Sequence, residues 1–582
     1  MNNLFFKKDC KDKYKIDPNK SIISYFCRVK RSFFLLFTLI ISRLGHSQDH
    51  DLPIRHYGYD LIDRWEIQST DASFSTFRPF ARKNLVRLVS QVSPLSSTGQ
   101  FQKEYLLIEN REYADVDSLS IAGRPFLKHF YRHKSDLYSY SNENFDLHIN
   151  PVFELSTGFD TRNNKLLYRN GRGIELRGTI DDKVAFYTRA TTNQVEYPVY
   201  VKDVADSVGL VPYEGFWKEF DDTKADFFRA FAYVDFGLTK HISAQAGFGR
   251  HFIGDGERSL MLSDFGNSYP YLRIDTEIWR FRFTNLFAEL ISDVSTFPGG
   301  TLGNSDYPTK YMAMHHLDIN VARGFNIGLF ESIIMGRPDS VRGGSQFELK
   351  YAIPTIFYRA LEQHDGSDYN ALVGMNFKWD IYKRARFYGQ FVLDELVISN
   401  MIERNGWWSN KYAYQLGLKY VDLLVSNLDI TAEINSARPF TYAHDDLYTS
   451  YTHYEQPLAH PLGASFNELL LKIEYRPVPR FDMTLMGLRA RYGKDTNPGF
   501  SVGRNPGLSQ NLFENEFGNE IGQGLTTDLV MGSLRASYQL RHNFFLNADV
   551  TYRSESNNQF ETSSIFSTVG FRWNMPNRNY LF

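Results

Sequence analysis

The chain has 582 residues, and its 36 Tyr, 48 Phe and 7 Trp make it 16% aromatic, a composition suited to strands and membrane interfaces rather than to a small helical domain. The formal net charge is −2. Setting aside the first 47 residues, with 10 basic and 3 acidic side chains, leaves about −9, which argues against a basic nucleic-acid-binding surface.

Residues 1–47 read as an export signal. A basic region from Lys7 to Arg31 precedes the apolar run Phe33 to Ile41, and Gly45-His46-Ser47 before Gln48 supplies small residues for cleavage. The run is too short to span a bilayer as a helix. The basic part is long for a signal, which fits a translation start downstream of Met1. Both cysteines, Cys10 and Cys27, leave with this segment. The exported chain then has no disulfide, no thiolate metal site, no cysteine nucleophile and no cysteine for a lipid anchor. Beyond residue 48 no stretch is long and apolar enough for a membrane helix, so the alternatives are a secreted soluble protein and a closed β-barrel, which satisfies every backbone group in lipid.

Residues 48–140 carry helical signals. Phe101, Tyr105 and Ile108 share a face at helical spacing, and Tyr59 to Ser69 reads as a short helix, so this segment is expected to be a small helical part on the periplasmic side. From 141 to 582 the period changes to two. In Lys411 to Tyr420, even positions read Tyr, Tyr, Leu, Leu, Tyr and odd positions Lys, Ala, Gln, Gly, Lys. Ile174–Ile180, Phe228–Asp235 and Leu469–Arg476 alternate similarly. One apolar face with aromatic ends and one polar face fit a lipid-facing wall around a wet lumen. At roughly 24 residues per strand and connection, Phe145 to Phe582 accommodates about 18 strands, giving an all-β, transmembrane outer-membrane antiparallel barrel.

Gly247 to Asp275 packs four glycines into ten residues, but strands flank it and no helix follows to supply a positive dipole end, which disfavours a phosphate loop. Gly254-Asp255-Gly256 reads as turn chemistry in a barrel hairpin. Arg250, Asp255, Arg258 and Asp264 are left as polar lining of a lumen or loop, together with Asp394.

Catalytic readings are weak. Asp394 and Glu395 could suggest a glycosidase pair, but neighbours on a strand point to opposite faces. Gln390, Val392 and Asp394 should face the lumen, and Glu395 then requires a bulge, a strand end or an interfacial position. The His444-Asp445-Asp446 run with Ser450, His453 and His460 lacks a Gly-x-Ser-x-Gly elbow. Adjacent His315 and His316 diverge on a strand, so no metal or other cofactor is expected. Glycan binding suits the loops better, because sugars call for aromatic platforms beside planar hydrogen-bonding groups. Arg404, Asn405, Trp407 and Trp408 supply these, as do Asp445, Tyr451 and His453 with Tyr448 and Tyr454. The plainer reading of the same aromatics is an interfacial girdle or packing within loops.

The chain closes on Asn579-Tyr580-Leu581-Phe582, and a terminal Phe resembles the signal read by barrel assembly machinery, although Pro576 is close enough that the last strand either stops near Met575 or restarts after the proline.

Several spaced motifs resemble the Wzi/RemB family of outer-membrane proteins. They are Gly249-Arg250-His251-Phe252-Ile253-Gly254-Asp255-Gly256, Arg258 to Asp264, Pro270-Tyr271-Leu272, Phe330-Glu331-Ser332, Asp394-Glu395, and Gln456-Pro457-Leu458-Ala459-His460-Pro461-Leu462-Gly463. The resemblance covers essentially the exported chain. It implies a barrel of about 18 strands with a periplasmic helical part in the outer membrane of a Gram-negative bacterium. It also implies one of two non-enzymatic roles: anchoring surface or capsular polysaccharide, as Wzi-type members do, or gliding motility and adhesion, as RemB-type members do. The motif wording is closer to RemB. A passive porin is the alternative, and a secreted glycan-active enzyme a distant third.

Overall fold

The computed structural model describes residues 49–582 except 70–72, 95, 115–132, 209, 216–217, 221–223, 293–308, 337–346, 354–368, 498 and 578–579. The export signal expected at 1–47 lies outside the described residues.

Eighteen long strands make the wall: β1 Phe145–Asp160, β2 Lys165–Ile180, β3 Val184–Glu196, β4 Lys224–Gly237, β5 Ile242–Gly249, β6 Tyr269–Ile278, β7 Phe281–Ile291, β8 Thr309–Ala322 and β9 Phe325–Met335. The second half is β10 Asn370–Ile381, β11 Ala385–Glu395, β12 Lys411–Tyr420, β13 Leu428–Ala437, β14 Phe466–Val478, β15 Phe481–Lys494, β16 Leu525–Arg541, β17 Phe544–Ser556 and β18 Glu561–Trp573. Each pairs antiparallel with its sequence neighbours, and β18 closes on β1, from Phe566 opposite Asp160 to Trp573 opposite Phe153. Closure leaves no unpaired edge, which is the condition for strands in lipid.

The period-two pattern sets which side chain faces where. On β12, Leu416 is 56% exposed on the outside while Gln415 and Lys411 are fully buried inside. The outward face is an apolar belt, with Leu166, Phe228, Leu469 and Val569 all exposed. No helix among the described residues is long and apolar enough to cross a membrane. Asp394 faces inward and Glu395, the last residue of β11, falls at a register shift between Leu393 and Glu395, so a bulge and a strand end coincide there, two of the three positions the alternation allowed.

Turns at one end of the barrel are short, such as 279–280 and 479–480; connections at the other are long, such as 250–268, 396–410, 438–465 and 495–524. In outer-membrane barrels the long loops face outward. Three segments fill the lumen. The first holds helices α1 Gly58–Ser69, α2 Arg82–Gln91 and α3 Ser97–Glu109, which pack Leu61, Trp65, Leu85, Val89 and Tyr105 into one small core. The Ser96 hydroxyl caps α3 by accepting from the Gly99 amide at 3.0 Å. This bundle corks the short-turn end through buried ion pairs. Arg64 bonds Asp422 and Asp429, Lys419 reaches Asp63, and Arg386 joins Glu66 at 3.0 Å and Asp63 at 3.3 Å.

The second filler is the glycine-rich stretch. It is not a rim hairpin, as its turn chemistry suggested: residues 250–268 fold into the lumen, where Phe252–Ile253 pair with Phe77–Arg78 of the N-terminal segment. Gln390 holds this loop through both ends of its amide, to Ile253 O and from Leu260 N, each at 2.8 Å. The Glu257 and Arg258 amides donate to the Glu433 carboxylate at 2.9 and 3.2 Å. A Cβ on Gly256 would meet that carboxylate at 2.2 Å, which explains the glycine. The nest resembling a phosphate cradle is thus filled by the protein's own glutamate.

The third filler corrects the expectation for the C-terminus. β18 stops at Trp573, ahead of Pro576, and the following tail turns into the lumen. Tyr580 packs at 5.6 Å from Tyr197 and 5.5 Å from Tyr213, and Phe582 at 5.8 Å from Phe265. Phe582 is therefore not the last residue of a membrane strand; the aromatic strand end is Phe571-Arg572-Trp573.

Candidate functional site

The residues singled out in the sequence separate into three environments. After the bundle come two more helices, α4 Val199–Val208 and α5 Ile398–Glu403, and Trp407 and Trp408 follow the second. Both are half-buried between loops: Trp408 stacks on Phe513 at 4.7 Å and meets Phe440 edge-on, and Trp407 lies 5.0 Å from Phe517. Arg438 ties the layers by donating to Trp407 O and Asn519 O. Arg404 is an exposed left-handed residue (φ 52°) ending the short helix, and Asn405 bonds Asn400 and Glu403. Asp445 is exposed, 2.9 Å from His444. These five sit on one outer lobe made by loops 396–410, 438–465 and 495–524.

Tyr451 and His453 do not join them. Both are buried to 1% exposure, Tyr451 donating to Met261 O at 2.8 Å and His453 meeting Ile291 N at 3.0 Å. Burial pulls the His453 imidazole down to about 3, so it is neutral. Their role is to pack the 438–465 loop onto the inward loop.

The five lumen residues are all engaged. Asp264 bonds Arg55, with Nη2 to Oδ1 at 2.9 Å; burial pushes the carboxyl up, but Arg55 outweighs it and holds the group below its ordinary value. Arg250 donates to Tyr213 O and Asp264 O, and Arg258 to Glu468 at 3.0 Å. Asp255 takes the Thr76 hydroxyl at 3.1 Å. Asp394 accepts the Tyr442 amide at 2.8 Å and shares Lys411 Nζ with Glu395, at 3.5 and 3.3 Å. His316 meets Asn376 while His315 packs beside Phe283, and no group of three or more metal-type ligands occurs among the described residues.

A large open cleft at the long-loop end was not found from the sequence. Tyr492 and Lys494 at the end of β15, Arg553 and Glu555 at the end of β17, and Tyr200 from the loop after β3 form one wall. Glu555 is clamped by Tyr492 Oη at 2.9 Å, by Arg553 Nη2 at 2.9 Å and by Lys494. The Arg504 guanidinium lies 4.2 Å over the Tyr492 ring and that of Arg553 4.8 Å over Tyr200. A guanidinium over a ring face is held by cation–π attraction, and guanidinium N–H groups are the donors that meet vicinal hydroxyls and carboxylates. Gln456, Pro457, Pro461, Leu462 and Gly463 line the opposite side. Gly463 has φ 76°, and a Cβ there would stand 2.4 Å from Arg504 O, the carbonyl that accepts the Ala464 amide at 2.9 Å. The Gln456–Gly463 motif thereby seats Arg504. That motif was the available signal, but Arg504 and Glu555 carry no local mark of their own.

The fold and cleft define a plugged 18-stranded barrel of the outer-membrane type, with a polar and aromatic cleft among its long loops. No protein-family model matches the sequence, and no curated protein does. Among solved structures, the chain is similar to Wzi, an outer membrane protein involved in group 1 capsule assembly in Escherichia coli and described as a carbohydrate-binding β-barrel. The TM-score is 0.55 at 13% identity, over 91% of this chain and 100% of that one. OprD of Pseudomonas aeruginosa gives 0.41 at 9% identity, over 73% and 94%, and OccK1 (OpdK) of the same organism 0.41 at 8%, over 73% and 98%. At these identities the likeness is one of fold.

Proposed function

We propose that this protein resides in the outer membrane, with residues 48–140 on the periplasmic side, and binds surface polysaccharide in the cleft bounded by Tyr200, Tyr492, Arg504, Arg553 and Glu555, helping to hold a capsule-like layer on the cell. The observation that carries this reading is the pair of ring-backed guanidiniums beside a clamped carboxylate in an open cleft, the donor and acceptor set a saccharide requires. The carbohydrate-binding Wzi barrel, alike in fold, supports it. The outer lobe with Trp407, Trp408, Arg404, Asn405 and Asp445 extends the same contact surface.

The test is a strain carrying Tyr492→Ala with Arg504→Ala, scored for cell-attached against released polysaccharide and for surface spreading. Barrel abundance and heat-modifiable migration serve as folding controls. Polysaccharide moving into the medium at normal abundance is the expected result. Unchanged attachment with lost spreading would replace this reading by gliding or adhesion. No change in either would leave the porin reading, which the internal cavities favour.

A further inference from the structure

The lipid-facing wall breaks its own pattern on one strand. The outward positions of β10, β12, β13, β14 and β17 carry no charged side chain, as a surface in contact with acyl chains requires. β15, between β14 and β16, presents two arginines. Arg489 and Arg491 alternate with the buried Leu488, Ala490 and Tyr492, so both point outward, and their side chains are 68% and 54% exposed. They lie close to Lys494, where β15 runs into the long loop 495–524, at the outer edge of the wall. Arg491 grips both carboxylate oxygens of Asp528 on β16, each at 3.1 Å. Arg489 reaches the same carboxylate only at 4.0 Å and donates no hydrogen bond among the described residues. Two cations thus share one carboxylate. The cross-strand neighbours of Arg489 are Leu469 and Val530, both exposed to lipid, and an arginine among such neighbours is costly unless its head reaches the headgroup level.

Beside the arginines the wall is dented. Gly487 of β15 stands opposite Gly532 of β16, both at the next outward position from Arg489 toward the middle of the barrel. A Cβ on Gly532 would meet nothing within 4 Å, and one on Gly487 nothing closer than 3.9 Å. Leu471 of β14 and Tyr552 of β17 flank this bare row, and Leu485 and Leu534 lie beneath it, all four exposed on the outside. An apolar hollow therefore sits directly under a guanidinium pair with one carboxylate too few. Those are the two halves of a site for an amphiphile with an anionic head.

We propose that this face docks a lipopolysaccharide molecule of the outer leaflet, with Arg489 and Arg491 on a phosphate of its lipid A head and an acyl chain laid in the Gly487–Gly532 hollow. A phosphate matches the planar fork of a guanidinium, which donates to two of its oxygens at once. The position at the long-loop rim selects the outer leaflet, where the anionic heads belong to lipopolysaccharide and not to phospholipid. The proposal rests on residence in the outer membrane and is independent of what the cleft binds.

The experiment is native mass spectrometry of the delipidated, heat-modifiable protein in detergent, with bisphosphorylated lipid A, the same lipid stripped of its phosphates, or phosphatidylglycerol added. The protein should hold one lipid A, and hold the dephosphorylated form about tenfold more weakly, the equivalent of one charge-assisted hydrogen bond. Arg489→Gln/Arg491→Gln should weaken lipid A binding by a similar factor. Gly532→Leu, which fills the hollow without a clash, should weaken it with both arginines in place. Arg172→Gln should change nothing, because Arg172 is exposed on the outward face but stands in the row of Phe153 and Trp573 at the short-turn end. Unchanged lipid A binding in either folded β15 or β16 variant overturns the proposal, as does an equal loss with Arg172→Gln or equal uptake of phosphatidylglycerol. If the double variant does not fold, Arg489→Gln alone decides: weaker lipid A binding supports the site, and unaltered binding overturns it.

Discussion

The two ends of the barrel are closed by different chemistry. At the short-turn end the helical bundle meets the wall through charge: Arg386 is fully buried with Asp380, Glu66 and Asp63 around it, and Arg64 is held between Asp422 and Asp429. At the long-loop end the lobe is held by rings, Trp408 on Phe513 and Trp407 on Phe517. Ion pairs in a confined space depend on every partner and on pH, whereas stacked rings depend on neither charge nor proton count. The ends should therefore respond independently to substitution and to acid.

The largest separation is expected from Arg386→Ala. The guanidinium bonds Asp380 at 2.6 and 2.9 Å and Glu66 at 3.0 Å, so its loss leaves buried carboxylates facing one another. Breaking such a network by removing one partner costs about 3–5 kcal/mol. Limited proteolysis should cut within residues 49–113 while the barrel remains heat-modifiable and the outer loops keep their cleavage pattern. Coincident loss of both ends would show that cork and lobe unfold as one unit.

Acid should act on the same end. Burial pulls His50 down to about 4 and His56 to about 3, and both belong to the N-terminal segment. Their unfolded imidazoles titrate near 6.5, so between pH 6.5 and 4 the released segment binds more protons than the docked one. The stabilisation present above pH 6.5 then falls with pH, by about 1.4 kcal/mol per unit for each histidine, and Asp49, whose carboxyl burial pushes up to about 7, offsets one of the two because it takes up its proton in the docked segment over the same range. Hydrogen exchange followed from pH 7 to 4.5 should show α1–α3 losing protection before β12 and β13. Protection independent of pH would mean that these histidines stay neutral in the released segment as well.

The wall was legible in the sequence because lipid on one side and polar filling on the other impose a period of two on every strand. The same alternation marked Glu395 as irregular, with a bulge as one of three alternatives, and a register shift falls there. The filling was not legible, because its partners are remote in sequence: Arg55 and Asp264 are 209 residues apart, and Arg258 and Glu468 are 210 apart. A buried lumen arginine and a solvated one occupy the same strand position, so the pattern cannot tell a wet lumen from a plugged one. Pro576 marked where β18 must stop, yet nothing local marks that the chain then turns inward to Tyr200 and Tyr213. The cleft was hidden for the same reason: Tyr492, Arg504 and Glu555 come from two strands and a loop, and only the Gln456–Gly463 motif pointed near them.

The smallest expected effect bears on the outer lobe and separates two roles of one residue. Trp408 is visible in the sequence as an aromatic platform, but its ring is stacked 17° from parallel on Phe513 and its amide donates to Glu516 O at 2.9 Å. Trp408→Ala should loosen loop 495–524 by about 1–2 kcal/mol, the range for one aromatic pair and a half-buried ring. Because Arg504 belongs to that loop, polysaccharide retention should weaken, whereas the corked end should keep its protection. Trp408→Phe restores a ring for Phe513 while removing the indole N–H. Retention recovered by Phe assigns Trp408 to holding the lobe in shape; retention lost with Phe, at unchanged loop protection, assigns it to the saccharide itself.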